Sequence, residues 1–127
     1  MHKVFFVGLG GFIGAVLRYL VAGGVQALTQ SITFPYGTLT VNITGCFLIG
    51  IFSHLIEYQA AMTAEIRLLL IVGILGSFTT YSTFSHETFN LLHDQRLFLA
   101  FLYLAAHIIL GLSAVFLGRV IVIMIWR

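Results

Sequence analysis

Long apolar runs dominate the pattern of hydrophobic and polar positions along this chain. Four of these runs reach the roughly 20 residues, at about 1.5 Å each, that a helix needs to cross a bilayer. They extend over Val4–Leu28, Gly37–Ile56, Ile66–Leu92 and Leu97–Trp126. The pattern therefore predicts an all-α membrane protein with four transmembrane helices.

The predicted spans are joined by short connections at Thr29–Tyr36, Glu57–Glu65 and His93–Arg96. Because loops this short leave little room to cross the membrane again, consecutive helices are expected to run antiparallel. A chain of 127 residues has room for one such unit. We therefore predict a single four-helix transmembrane domain over residues 1–127.

Composition supports a lipid environment, since only 8% of the residues are charged and 60% are hydrophobic. Soluble domains carry about 25% charged residues. The formal net charge of +2 is scattered, and without a basic stripe it argues against nucleic-acid binding. The single cysteine, Cys46, excludes an intrachain disulfide. No phosphate-binding glycine loop, GxSxG or HExxH motif is present, so an enzyme is not expected.

The N-terminal region and the charge pattern leave two questions of topology. Lys3 followed by Val4–Leu17 resembles a signal peptide, but apolar residues resume beyond Arg18, so we expect a retained span. With both termini on one side, four Lys/Arg residues lie toward that side and two toward the other, but one of each set, Arg119 and Arg18, falls inside an apolar stretch and counts ambiguously. The weak bias makes insertion in both orientations a hypothesis.

Small and polar residues mark the helix faces that should contact protein rather than lipid. Gly10 and Gly14 form a GxxxG pair, which allows close approach of two helices in lipid. On the second span, a small and polar face opposes an apolar one. That face comprises Thr38, Asn42, Gly45, Cys46 and Ser53. Packing between helices and contact with water are both open interpretations of this face.

The third span contains a polar stretch, Gly73–Glu87, in which glycine, serine and threonine are dense. Hydroxyl side chains compete with helical backbone bonds, and glycine weakens a helix further. We predict an interruption near Gly76–Thr80, which lipid tolerates only where the backbone is buried in protein or lines a cavity. Carbonyls freed there are natural cation ligands. The alternative is a continuous helix whose hydroxyls bond to the preceding turn.

Several side chains near this stretch could bind an anion. Tyr81 and Phe84 share a helix face, and the positive edge of an aromatic ring can contact a small anion. The Asn42 amide offers two donors, although a hydrogen bond between helices is an equal alternative. Arg18 would raise the local anion concentration. His107 is expected to be a hydrogen-bonded packing residue, because no cluster of metal-binding side chains accompanies it.

Three ordered motifs identify a family that this chain resembles. They are Gly10–Tyr19, Tyr36–Gly45 and Gly76–Glu87, and the last is long and specific. With the length and the four spans, they resemble the CrcB/Fluc fluoride channels over nearly the whole chain. The resemblance implies passive, fluoride-selective export across the cell membrane of a microbe. It also implies an antiparallel dual-topology homodimer with two pores.

The same resemblance implies roles for individual residues. A central structural sodium ion would be held by main-chain carbonyls of Gly76 and Thr79 from both subunits. The anion pathway would include Asn42, the aromatic pair Tyr81 and Phe84, a polar track of Thr83, Glu87 and Tyr103, and Arg18 near an aqueous vestibule. The sequence departs from the family pattern at Tyr81, where phenylalanine is usual, and at His107 and Gly111, where hydroxyl side chains are expected.

Two other classes of membrane protein fit part of the pattern. A small proton-coupled multidrug exporter also has four spans, but it needs a buried carboxylate, and only Glu87 lies inside a span. A non-conducting assembly subunit would tolerate Ala or Leu throughout the Gly/Ser/Thr run. Fluoride efflux from reconstituted vesicles separates these alternatives from a channel.

Overall fold

The computed structural model describes residues 1–58 and 62–126, and the regular elements in these residues are all helical. Four segments are long and apolar enough to cross a membrane, which confirms the predicted spans. The elements are α1 (His2–Thr29), α2 (Tyr36–Tyr58), α3 (Ala64–Arg67), a π-helical segment (Leu68–Leu75), α4 (Gly76–Phe78), α5 (Tyr81–His93) and α6 (Leu97–Ile125).

The predicted ends of the spans agree with the structure to within two residues. The third span, Ala64–His93, is the irregular one, because it contains four of the elements just named: α3, the π-helical segment, α4 and α5. Residues 59–61 of the predicted second connection lie outside the described part of the chain. The other two connections are short, as the sequence predicts.

The third span changes its helical geometry twice before it stops. Leu68–Leu75 forms a π-helix, with its wider turn, and α4 follows directly. After Phe78 the helix is interrupted, because Thr79 (φ −83°, ψ 158°) and Thr80 (φ −150°, ψ 113°) are extended. Regular α-helix resumes at Tyr81.

Glycines set the distances between the packed helices. A Cβ atom on Gly10 or Gly14 would collide with the backbone of the third span, at Leu69 and Ile74 respectively, so α1 approaches that span through the GxxxG pair. The close approach predicted for this pair is confirmed. Gly50 plays the same part where α2 packs along α6.

Large apolar side chains cover the outside of the bundle. Phe12, Phe101 and Phe116 are each about 70% exposed, at 70%, 71% and 67%. Water would solvate such a surface poorly, whereas lipid chains would solvate it well. The buried apolar cluster is correspondingly small and lies where α2, α5 and α6 meet the α1–α2 loop, around Phe34, Leu91, Ala100 and Tyr103.

The Gln26 side chain bonds the backbone of the loop between α1 and α2 at three points. Gln26 donates from Nε2 to the carbonyl oxygens of Ser31 and Phe34, and its Oε1 accepts from the N–H of Gly37 at 3.1 Å. Because this amide satisfies three backbone groups of the turn, it fixes the start of α2. Thr38 is thereby positioned beside α5.

Candidate functional site

Asn42 on α2 is bonded directly to the interruption in the third span. Its Oδ1 accepts from the backbone N–H of Thr80 at 2.8 Å, and its Nδ2 donates to the carbonyl of the same residue at 3.1 Å. The side-chain amide thus pairs with an extended backbone unit as a neighbouring strand would. Thr80 is buried, with 8% of its surface exposed, so water cannot satisfy its backbone groups and the Asn42 amide does so instead.

His107 on α6 occupies the second N–H of the same amide. Asn42 Nδ2 lies 3.1 Å from His107 Nε2, and His107 Nδ1 lies 3.0 Å from the carbonyl oxygen of Tyr103. A carbonyl can only accept, so Nδ1 carries the proton in the neutral imidazole and Nε2 accepts from Asn42. The polar groups of Asn42 are therefore fully used by the protein in this conformation.

Thr80 also restarts the helix that follows it. Its hydroxyl oxygen accepts from the N–H of Thr83 at 3.2 Å and donates to Thr83 Oγ1 at 3.0 Å. This is the standard N-cap arrangement, in which a threonine side chain satisfies a backbone donor of the first turn. Thr83 is exposed and is joined to Thr80 rather than to Glu87 or Tyr103.

The interruption removes the hydrogen-bond donors of two main-chain carbonyls. In a continuous helix the N–H groups of Thr80 and Thr83 would donate to the carbonyls of Gly76 and Thr79. Here they donate to Asn42 and to the Thr80 hydroxyl instead. The carbonyls of Gly76 and Thr79 are left without these helical donors, and carbonyl oxygen is a ligand that hard cations accept.

Glu87 is held by two hydroxyl groups from the neighbouring helices. Thr38 Oγ1 donates to Glu87 Oε1 at 2.9 Å, and the Tyr103 hydroxyl donates to Oε2 at 2.6 Å. Tyr103 is completely buried, with 0% exposure. The carboxylate therefore links α2, α5 and α6 through neutral donors at the point where the three helices meet.

Aromatic rings connect the two polar clusters. The ring centroid of Phe84 lies 4.2 Å from that of His107, 5.5 Å from that of Tyr103 and 5.8 Å from that of Tyr81. Tyr103 and His107 meet edge to face at 4.4 Å. Tyr81 is 80% exposed and lies at the outer end of this row.

Two cavities open on these clusters from different directions. A cavity of about 440 Å³ is lined by Asn42, Thr80, Phe84 and His107, together with Gly76, Thr79 and Tyr81 from the third span. A second cavity, of about 560 Å³, reaches Glu87 and Thr38 from the side of the α1–α2 loop, with Gln26 and Arg96 in its wall. The polar clusters lie between the two.

The structure brings together most, but not all, of the side chains selected from the sequence. Asn42 and Phe84 belong to one cluster, and Glu87 and Tyr103 to the other, whereas Thr83 is bonded to Thr80, the N-cap of α5. Arg18 lines neither cavity and makes no hydrogen bond or ion pair with a residue that the structure describes.

Sequence reasoning gave Thr80 and His107 no role at the site. The only signal for Thr80 was its position in a hydroxyl-rich stretch, and the only signal for His107 was that it is an isolated histidine in an apolar helix. The expectation of a hydrogen-bonded His107 is confirmed by the two contacts of its ring. The partners of that ring could not be foreseen, since Asn42 lies 65 residues away.

Comparison with known proteins extends over nearly the whole chain. Residues 5–119 match the family described as CrcB-like protein, Camphor Resistance (CrcB). A protein of Methanosarcina acetivorans named fluoride-specific ion channel FluC 1 is 45% identical over 94% of this chain and 90% of its own length. Proteins named fluoride-specific ion channel FluC from Flavobacterium psychrophilum and Geobacter sulfurreducens are 41% and 45% identical. These alignments cover 95% and 93% of this chain, and 97% and 94% of the relatives.

Proposed function

Because this chain belongs to the CrcB-like protein family, we propose that it is a fluoride-specific channel that exports fluoride passively across the cell membrane. The observation that carries the proposal is its similarity, at 41–45% identity over more than nine-tenths of the chain, to relatives named as fluoride-specific ion channels. The four membrane-spanning helices agree with a multi-pass channel. In a microbial cell membrane, such a channel would confer resistance to fluoride.

Fluoride is small and strongly hydrated, so a pore must replace the hydrogen bonds of the water that the ion sheds. In our proposal the replacements are neutral: the amide of Asn42, the hydroxyls of Thr83 and Tyr103, and the ring edges of Tyr81 and Phe84. Neutral groups bind the ion firmly enough for it to enter and weakly enough for it to leave. Glu87 would organise the hydroxyls of Tyr103 and Thr38, and Arg18 would attract anions at a vestibule.

We further propose that the interruption at Thr79–Thr80 lies near the middle of the bilayer. It falls close to the centre of the 30-residue third span. Exposed backbone at that depth must contact protein or a cavity rather than lipid. The cavity of about 440 Å³ beside it, together with the bonds from Asn42 to Thr80, supports this position.

A structural sodium ion fits the chemistry of the interruption. The carbonyls of Gly76 and Thr79 have lost their helical donors, and both residues border the same cavity. Among the described residues no three His, Cys, Asp or Glu side chains lie together as a metal site, so a cation here would depend on main-chain oxygens. Bound sodium would supply positive potential for anions and crosslink the segments that hold it.

Two carbonyls are too few to surround a hard cation, which supports the proposal of a homodimer. A second copy would contribute the same two carbonyls across a twofold axis and would cover the exposed surface around Gly76 and Tyr81. The small bias of Lys and Arg between the two sides, once the intramembrane Arg18 and Arg119 are set aside, agrees with antiparallel subunits. The functional unit would then be two copies of one four-helix channel domain in a lipid bilayer.

The proposal is tested with the purified protein in liposomes loaded with potassium fluoride. After addition of a potassium ionophore, a fluoride electrode should record efflux far faster than from empty liposomes, with negligible efflux of chloride. Replacement of Asn42 or Phe84 by Ala should reduce the rate at least tenfold, whereas Phe12→Ala, on the exposed surface of α1, should not. Efflux no faster than from empty liposomes would refute the proposal.

A further inference from the structure

We propose that His107 is the second donor of an anion site that it forms with Asn42, and that this site is completed when His107 takes up a proton. The inference rests on the proposed fluoride conduction and deepens it, because it couples fluoride binding to protonation. In the conformation described above, the imidazole and the amide are bonded to each other. Protonation would convert that bond into a pair of donors.

The orientation of the Asn42 amide is fixed by the backbone of Thr80. Oδ1 faces an N–H group at 2.8 Å, and Nδ2 faces a carbonyl oxygen at 3.1 Å. Exchanging the two atoms would place oxygen against oxygen and two donors against each other, which makes the opposite orientation unfavourable. One N–H of Nδ2 is therefore committed to Thr80, and the other points at His107 Nε2.

The His107 ring is fixed in the same way by its own helix. Nδ1 donates to the Tyr103 carbonyl oxygen in the neutral and in the protonated imidazole alike. Protonation therefore changes only Nε2, which turns from an acceptor into a donor. Two donors then stand 3.1 Å apart, and they repel unless an acceptor lies beside both.

An anion is the acceptor that this position suits. The pair borders the cavity of about 440 Å³, so an ion in the cavity can reach both nitrogen atoms. Phe84 lies against the imidazole, with a centroid distance of 4.2 Å, and borders the same cavity. Fluoride accepts stronger hydrogen bonds than chloride, so it gains more from two donors.

The other titratable groups around His107 do not provide an alternative proton site of the same kind. Glu87 on α5 is bonded to Thr38 and to Tyr103, whose ring meets the imidazole edge to face. Cys46 on α2 and Tyr81 on α5 line the same cavity.

Proton and fluoride binding must then assist each other equally, because coupling between two sites is reciprocal. If protonation raises fluoride affinity about tenfold, saturating fluoride must raise the pH of half-protonation of His107 by about one unit. Chloride at the same concentration should leave that midpoint within about 0.2 units of its value without added anion.

The decisive experiment is a pH titration of the ¹⁵N-histidine signals of the full chain in lipid nanodiscs, with sodium fluoride or sodium chloride. The chain has five histidines, and His107→Gln assigns the relevant signal, with His107→Asn as the substitute if the first variant does not fold. His86 is a matched internal control, since it forms the same type of contact with Asn90, at 3.3 Å, on an exposed surface. Fluoride should move His107 alone.

Fluoride currents in planar bilayers provide the second readout and separate the inference from the proposed function. Undissociated HF crosses lipid without carrying current, so the current reports the channel. Wild-type current should rise about threefold or more as the pH falls through the His107 midpoint, whereas His107→Gln should remain flat. Equal fluoride and chloride midpoints, or the same pH profile in both proteins, would overturn the inference. Absence of fluoride current at every pH would instead overturn the channel itself.

Discussion

Removal of one hydroxyl tests the assignment of Glu87 to a hydrogen-bonded cluster. Tyr103→Phe deletes the donor that contacts Glu87 Oε2 at 2.6 Å and leaves the ring in place. A hydrogen bond to a charged group contributes about 1.5–3 kcal/mol in soluble proteins, but hydrogen bonds between membrane helices average about 0.6 kcal/mol with a maximum near 1.7. Because Tyr103 is fully buried and the acceptor is charged, we expect about 1.5 kcal/mol of destabilisation, near that upper limit.

The second donor allows the cluster to be measured as a unit. Thr38→Val removes the 2.9 Å bond to the other carboxylate oxygen and should cost about 1 kcal/mol. The double variant leaves Glu87 with neither donor, so its loss of stability should exceed the sum of the two single-variant losses by at least about 0.5 kcal/mol. Fluoride efflux of the double variant should fall about tenfold, since an unscreened carboxylate repels an anion nearby.

Unfolding in mixed detergent micelles, followed by circular dichroism, gives the free energies of unfolding. Tyr36→Phe is the matched control, because its hydroxyl makes no hydrogen bond with a residue that the structure describes and its ring is 42% exposed. It should change the free energy of unfolding by less than about 0.5 kcal/mol. If Tyr103→Phe is as stable as Tyr36→Phe, or if the two losses simply add, the cluster does not exist as described.

Two further substitutions test the packing and the helix restart. Gly14→Ala should destabilise the protein by about 1–3 kcal/mol through collision with the backbone of Ile74, whereas Gly8→Ala, with nothing within 4 Å of the added Cβ, should be neutral or stabilising in the same unfolding assay. Thr80→Val should remove the cap on the N–H of Thr83 and lower the free energy of unfolding by about 0.5–2 kcal/mol, whereas Thr80→Ser should keep the cap and the stability. Equal stability of the two Thr80 variants would refute the cap.

The spans were predictable because hydropathy depends on composition over about twenty residues, and the lipid imposes that length. The close contact of α1 was also predictable, since Gly10 and Gly14 have no other evident use in an apolar helix. The π-helix at Leu68–Leu75 was not, because an apolar run of this kind is compatible with either turn width. The choice between an α-helical and a π-helical turn depends on contacts with α1 near Gly10 and Gly73, which exist only in the folded protein.

The site was predictable as a set of polar residues but not as a set of pairs. Asn42 was selected for its donors, yet both are used by Thr80 and His107, which lie 38 and 65 residues away. Such separations are invisible to local patterns. For Thr83 the family resemblance implied a polar track with Glu87 and Tyr103. In the described conformation its hydroxyl is bonded to the Thr80 side chain in the first turn of α5, a local partner that the resemblance did not indicate.

These pairings have a consequence for how an anion could move. The Asn42 amide and the Tyr103 hydroxyl both donate to protein partners in the described conformation, so an entering ion must displace existing bonds before it gains its own. Each displacement removes part of the free energy that the new bond supplies, which keeps the net binding weak even though fluoride is a strong acceptor. An amide already bonded to an imidazole should therefore exchange its partner for the ion and take it back.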